Sequence, residues 1–289
     1  MKLILANLGF LVLSPLCAWA QDVVKPFKPE EFAVRFAYHY ELLDSILERT
    51  TDSYGNYVEQ SFREPVSTAR SLLLAVEGQI INVYISDPSH KLLNEGMIPI
   101  PIPVEKGLLG VRVPLIAEDN RARIAAVRDI DNLRKLVVGM GATWGNVPIY
   151  KYNHVPIETA PTYESLFLML IRGRFDLFPR GVTEAPQELK AFGGLYPGLA
   201  IDRHLLIRYL FGQFFYVAKS EPRLAQRIRE GLEAMVRDGS LDVLFQRYFG
   251  ETIRSLDLSK RVVIELENPF LPDWVPVDQP EFWLDWKSF

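Results

Sequence analysis

An α/β fold in two units, each a mixed sheet flanked by helices, is what this chain predicts, and three features predict it. Residues 212–250 read as a strand, a helix, a glycine stop and a second short helix. The order strand, helix, glycine, strand recurs twice upstream, which is the pattern of α/β units. The chain has 289 residues, enough for two units of ordinary domain size.

The first twenty residues set the compartment. Lys2 precedes an apolar run from Leu3 to Leu16, and Ala18-Trp19-Ala20 places small residues at both positions a signal peptidase reads. Residues 1–20 are therefore expected to be a secretory signal peptide, cleaved after Ala20. The run is too short for a good membrane anchor. Cys17 raises a lipoprotein as the alternative, but bulky Leu16 is a poor neighbour for a lipidated cysteine. Cleavage removes this one cysteine, leaving no disulfide framework and no thiol chemistry. It also takes Lys2, so the formal net charge moves from −4 to −5, a balance that argues against nucleic acid as partner.

Phe32-Ala-Val-Arg-Phe-Ala37 reads as a first strand. Residues 65–77 read as a helix with Ala69, Leu72, Leu73 and Val76 on one face, stopped by Gly78. Residues 80–85 follow as a strand, giving a parallel crossover. Pro99, Pro101 and Pro103 keep the next segment extended, and residues 108–116 form another strand. A second unit opens at Asp129, with a strand over 136–140 and a turn at Gly141-Ala-Thr-Trp-Gly145. Thr162 caps a helix over 163–172, Gly173 stops it, and 175–178 is the next strand, leaving Pro179-Arg180-Gly181 in a loop.

Toward the C-terminus, Phe214 to Val217 form an apolar, β-favouring run. Ser220 is placed to cap the following helix, with Pro222 in its first turn. Leu224, Ile228 and Leu232 line one face of that helix. Gly239 supplies a left-handed stop, Ser240 caps the next helix, and Gly250 ends it. Residues 251–289, with four prolines and Trp274, Trp283 and Trp286, read as an extended aromatic tail packed on the first unit.

This order of segments, from "DNL" through "VGMGATW" and "RGRFDLFPRG" to the closing strand and helices, resembles bacterial family 3 extracellular solute-binding proteins over residues 30–250. The resemblance implies the type 2 periplasmic-binding-protein fold, two lobes joined by a two-strand hinge. Residues 21–115 and 208–250 would form lobe 1, and 116–207 lobe 2. It implies a monomer that captures a small molecule between its lobes for an ABC-type transporter, docking on an inner-membrane permease. A sensor is the alternative partner. The third alternative is an enzyme on the same fold, like cyclohexadienyl dehydratase, with Glu64, Asp87 or Glu184 as its acid.

Ligands of open α/β sheets bind beyond the carboxyl ends of strands, so three segments are candidates. Tyr38-His39-Tyr40, after the expected first strand, would supply an aromatic wall, or ordinary packing. Thr143 and Trp144 would offer a hydroxyl and a wall at a helix start, where the family's Gly-Thr turn often binds a carboxylate. Phe178 and Arg180 stand near the point where amino-acid binders place an aspartate for the ligand's ammonium. The family's Thr-x-x-Arg pattern in lobe 1 is also absent; Ser86-Asp-Pro-Ser-His-Lys91 stands there. A guanidinium in place of an acid favours an anionic or carboxylate-bearing ligand, unless Arg180 is a structural salt bridge. Arg112, on the hinge strand, is a further candidate. The four histidines are scattered, so no metal or cofactor is expected, and no hydrolase elbow is present.

Overall fold

The computed structural model describes residues 21–30, 33 and 36–288. In chain order the strands are β1 (Asp22–Val24), β2 (Tyr57–Glu59), β3 (Val83–Ser86), β4 (Ile98–Pro99), β5 (Val111–Ala117), β6 (Val138–Gly141), β7 (Ile157–Ala160), β8 (Phe178–Gly181), β9 (Leu199–Ile201), β10 (Leu205–Arg208), β11 (Phe214–Val217) and β12 (Val262–Glu265). The helices are α1 (Ala37–Arg49), α2 (Thr51–Tyr54), α3 (Thr68–Glu77), α4 (His90–Asn94), α5 (Arg121–Ile124), α6 (Ile130–Leu133), α7 (Val147–Tyr152), α8 (Tyr163–Ile171), α9 (Glu184–Phe192), α10 (Pro222–Arg237), α11 (Ser240–Phe245) and α12 (Glu251–Ser255).

The strands fall into two groups. One is the antiparallel sheet β3-β11-β4, beside the parallel pair β1-β2. The other is β12-β10-β5-β8, with β9 also on β5, and the parallel pair β6-β7. That pair joins its neighbour where Gly139 N donates to Leu177 O at 2.9 Å. The chain crosses between the groups after β4, again after β10, a third time after α12 to reach β12, and back after β12. All of β5 lies in the second sheet, so a lobe boundary at 115 would cut through it.

Helix signals in the sequence translate in part: α3 buries Ser71, Leu74 and Ala75, while Ala69 and Leu73 of its expected apolar face are exposed. Thr162 caps α8, accepting from Ser165 N, and Asp129 caps α6 through Asn132 N. Gly78 ends α3 at φ +75, a left-handed conformation that favours glycine. The apolar stripe of α10 buries Leu224, Ile228, Leu232 and Met235, each contributing roughly 1.5–3 kcal/mol by transfer from water.

Five expectations are corrected. Ala37, the end of the expected first strand, begins α1 instead; Phe32, Val34 and Arg35 lie outside the described residues. Leu42, Leu43, Ile46 and Leu47 recur at helical spacing and are buried, so packing favours a helix. The strand preceding α3 is β2, and β3 runs antiparallel to β11; its parallel neighbour is Pro26, bridged to Val83. The strand expected over 175–178 begins at Phe178 and carries Pro179, Arg180 and Gly181. Glu221, not Ser220, stands at the N-cap of α10, and Gly239 rather than Ser240 at that of α11. Gly250 ends no helix, because a π-helical turn over Gln246–Gly250 runs on into α12. The expected signal peptide lies outside the described residues.

The tail does more than pack on the first group. β12 pairs in parallel with β10 of the second sheet. Val275 and Trp283 then join Leu74, Ile81, Phe214 and Tyr216 in a core cluster of the first group. Among the described residues, no helix is long and apolar enough to cross a membrane.

Candidate functional site

The loops after β3 and β6 face each other. Asp87 follows β3, and Gly145 lies in the turn after β6. A Cβ at Gly145 would sit 3.6 Å from Asp87 Oδ2 and 3.8 Å from Phe211 Cζ. A Cβ would thus make ordinary contacts with both, so the two loops lie close together here without requiring glycine. The Asp87 loop is held from below, since the Tyr216 hydroxyl donates to Asp87 O at 3.2 Å and accepts from Ser89 N at 3.0 Å.

Behind this meeting point lies Arg112, paired in register with Gly181 of β8 and Ile207 of β10. Its Nε donates to the Tyr209 hydroxyl at 3.1 Å and its Nη1 to Glu184 Oε2 at 3.1 Å. Asn146 Nδ2 donates to the same Tyr209 hydroxyl at 2.9 Å. Burial works against the Arg112 charge, but Tyr209 and Glu184 more than offset it and hold the guanidinium above its usual range.

Asp87 titrates unusually. Burial pushes its carboxyl up to about 6, although the Arg112 charge and a hydrogen bond from Gln213 pull the other way. Glu105 adds to the rise.

Arg180 is caged. Its Nε lies 2.8 Å from both Glu188 carboxylate oxygens, and its Nη2 lies 2.7 Å from Glu188 Oε1 and 3.2 Å from Glu184 Oε1. The guanidinium carbon sits 4.7 Å from the Trp144 ring centre and 4.9 Å from that of Phe178, within cation–π range. Tyr163 donates to Glu188 Oε1 at 2.7 Å. Two carboxylates thus neutralise the charge that was expected to reach an anion. Arg180 is a buried strand residue in a salt bridge, the alternative the sequence left open.

The other expected residues separate. Trp144 stacks on Phe178, with ring centres 5.9 Å apart, and joins the cluster. Thr143 is exposed in the turn and caps nothing, because α7 begins four residues later behind Asn146. Tyr38, His39 and Tyr40 form the first turn of α1. Tyr38 is core, its hydroxyl donating to Val104 O at 2.6 Å and its ring against Phe249 and Tyr248. His39 is buried with Nε2 3.0 Å from Glu105 Oε1. Tyr40 is half-buried, with Lys28 Nζ 5.4 Å from its ring centre. An aromatic wall from these three is therefore corrected to packing for Tyr38 and Tyr40. His39 reaches the cluster only through Glu105.

Sequence reasoning missed Glu188, Tyr163, Tyr209 and Asn146. Glu184 and Glu188 stand four apart, hence on one helix face, and that spacing was the available signal. Nothing local announced Tyr209 or Asn146. Among the described residues, no group of three or more His, Cys, Asp or Glu is placed to hold a metal ion.

No family model matches the chain, and no curated protein matches it. Solved structures do. A periplasmic His/Glu/Gln/Arg/opine family-binding protein from Silicibacter pomeroyi, in complex with lysine, is similar at a TM-score of 0.51 and 13% identity, over 80% of this chain and 98% of that one. A Bacillus subtilis protein gives 0.49 and 17% over 79% and 86%. A mutant of the arginine-binding protein ArgBP from T. maritima gives 0.46 and 17% over 80% and 95%. The chain has the type 2 periplasmic-binding-protein fold and is structurally similar to family 3 amino-acid-binding periplasmic proteins. Likeness at this identity speaks for the fold alone.

Proposed function

We propose that this protein is a solute-binding protein that takes a small polar, carboxylate-bearing or anionic molecule between two lobes, after export to the periplasm and cleavage behind Ala20. The sequence places the lobes at residues 21–115 with 208–250, and 116–207, and keeping β5 (Val111–Ala117) whole moves the first boundary to 110. What carries the reading is the meeting of Asp87 and Gly145 over the Arg112–Tyr209–Glu184 cluster, a polar centre between strand ends on the fold of ligand traps. Arg112 takes the role first given to Arg180, because its Nε and Nη1 are engaged while no hydrogen bond of Nη2 is formed among the described residues. Thr143 and Trp144, in the turn after β6 beside Gly145, keep their proposed place as ligand contacts. The lobes' partner is a permease, with a membrane sensor as the alternative; neighbouring permease and ATPase genes favour the first, a kinase or cyclase gene the second.

A thermal-shift screen of small carboxylates, amino acids and amines tests this, since a ligand of the folded state raises the melting temperature. A carboxylate should stabilise the wild type and lose most of that effect in Arg112→Lys, where the planar fork is gone. A purely cationic amine as the stabilising compound would overturn the ligand class.

One observation favours a second reading. Asp87, pushed up to about 6 at the meeting of the loops, is suited to give or take a proton near neutral pH. An enzyme would convert a stabilising compound over time, and Asp87→Asn would abolish conversion while sparing binding.

A further inference from the structure

We infer that residues 267–275 form a further tie between the two groups of strands, beyond the crossings after β4, β10 and α12, so that the candidate site is held in one geometry rather than opened freely about a two-strand hinge. The inference rests on the two-lobed reading above, and concerns its motion rather than its ligand.

The tail is fastened on the second group first. β12 is hydrogen-bonded to β10 along its whole length. Just beyond it, Asn153 at the end of α7 makes a reciprocal pair with Glu267: Nδ2 donates to Glu267 O at 2.8 Å, and Glu267 N donates to Oδ1 at 3.0 Å. Phe270 meets Tyr152 edge-on at 6.1 Å between centres.

It is then fastened to both crossing segments. Asn268 Nδ2 donates to Leu210 O at 2.8 Å, on the segment that returns from β10 to β11. Leu284 N donates to Lys106 O at 2.8 Å, in the turn that leads out to β5. Beside it Trp283 lies over Gly107, where a Cβ would come 2.4 Å from the indole. Gly107 also has φ +71, so this close packing requires glycine twice over.

On the first group, Trp274 packs edge-on against Phe214 at 4.9 Å and Tyr216 at 5.9 Å. Tyr216 is the residue whose hydroxyl holds the Asp87 loop. The tail therefore touches a support of the site, the Tyr216 side chain itself.

Hinge bending concentrates φ/ψ change in a few residues of the crossing segments. The crossings after β4 and β10 leave one easy axis, and the passage from α12 into β12 already constrains it. Residues 267–275 pass back again, bonded at both ends, and must stretch or break contacts when the groups rotate. Only Leu271, Pro272 and Asp273 lie between Phe270 and Trp274. Their reach is about 3.5 Å per residue, and Pro272 fixes one φ, so there is little slack.

The test measures the distance between the groups. Leu195 and Val243 are 70% and 72% exposed, one on each group. With Cys17→Ser the sequence has no other cysteine, so Leu195→Cys and Val243→Cys can carry spin labels. A protease recognition sequence placed between Phe270 and Leu271, in an exposed turn, severs the tie after folding. The uncut protein should give one narrow distance distribution, and cutting should add a second population, with the circular dichroism spectrum unchanged. Asn153→Ala with Phe270→Ala should broaden the distribution without any cut, which covers the case in which the severed protein unfolds. Two populations in the uncut protein, or no change in the double variant, would overturn the inference. Neither result bears on the ligand-induced rise in melting temperature that tests the function.

Discussion

Arg180 and Glu188 form a closed pair inside the second group of strands. One nitrogen, Nε, lies 2.8 Å from both carboxylate oxygens, and the two side chains are only 7% and 8% exposed. Such a pair contributes little net stability against an apolar substitute of the same shape, yet removing one member strands a buried charge.

Arg180→Ala should therefore cost about 3–5 kcal/mol of stability, read as a lower midpoint in urea unfolding. Arg180→Met combined with Glu188→Leu should cost less than Arg180→Ala alone, because no charge is left unpaired. Arg180→Ala with an unchanged midpoint would mean that Glu188 finds another partner or water.

Gly110 offers a test of the crossing segments. Tyr209 N donates to Gly110 O at 3.1 Å, and a Cβ on Gly110 would lie 1.9 Å from Tyr209 O. The clash is with backbone, so no side-chain rotation relieves it. Gly110→Ala should destabilise by about 3 kcal/mol, the upper part of the usual range for overpacking, in chemical unfolding. It should also disturb the Arg112–Tyr209 contact next to it, seen as a change in the tyrosine near-ultraviolet circular dichroism.

How much of this was legible depended on whether the cause was local. The cap at Thr162, the stop at Gly78 and the apolar stripe of α10 are local, and the sequence carries each one. The start of α1 was misread because Phe32, Val34 and Phe36 alternate like a strand, and the helical spacing of Leu42, Leu43, Ile46 and Leu47 begins only afterwards. β8 was displaced because proline and glycine argue against a strand. Here Pro179 sits opposite Pro114, so neither proline removes a donor the other needs. The site was harder still. Arg112 and Trp144 could be singled out, yet Tyr209 meets Arg112 from 97 residues away and Asn146 meets Tyr209 from 63 residues away in sequence, and no periodicity encodes such a meeting.

Gly145 should tolerate one carbon and no more. An alanine Cβ would make ordinary contacts with Asp87 at 3.6 Å and Phe211 at 3.8 Å. Gly145→Ala should leave the melting temperature and the stabilisation by ligand nearly unchanged. Gly145→Leu should push the two loops apart and remove the ligand's stabilising effect, with the fold retained by circular dichroism. Undiminished stabilisation in Gly145→Leu would place the ligand elsewhere.

Asp87 predicts a pH dependence opposite to that of most paired carboxylates. Its folded value, about 6, lies above its ordinary 3.8, mainly because burial disfavours the charged form. The folded protein therefore holds the proton more tightly than the unfolded chain, and stability falls as pH rises from about 4 to about 6 through this group. Below that window Asp87 is neutral in both states and contributes nothing; above it the cost of the buried charge is complete. Asp87→Asn mimics the protonated form. It should raise the melting temperature at pH 7 and leave it nearly unchanged at pH 4, so that the gap between variant and wild type opens between those values. Carboxylates whose values fall on folding give the reverse slope, which is why the comparison is made between the two proteins and not along one curve. A destabilised Asp87→Asn at pH 7 would mean that the attraction between Asp87 and Arg112 outweighs burial, and that the carboxylate is charged at neutral pH.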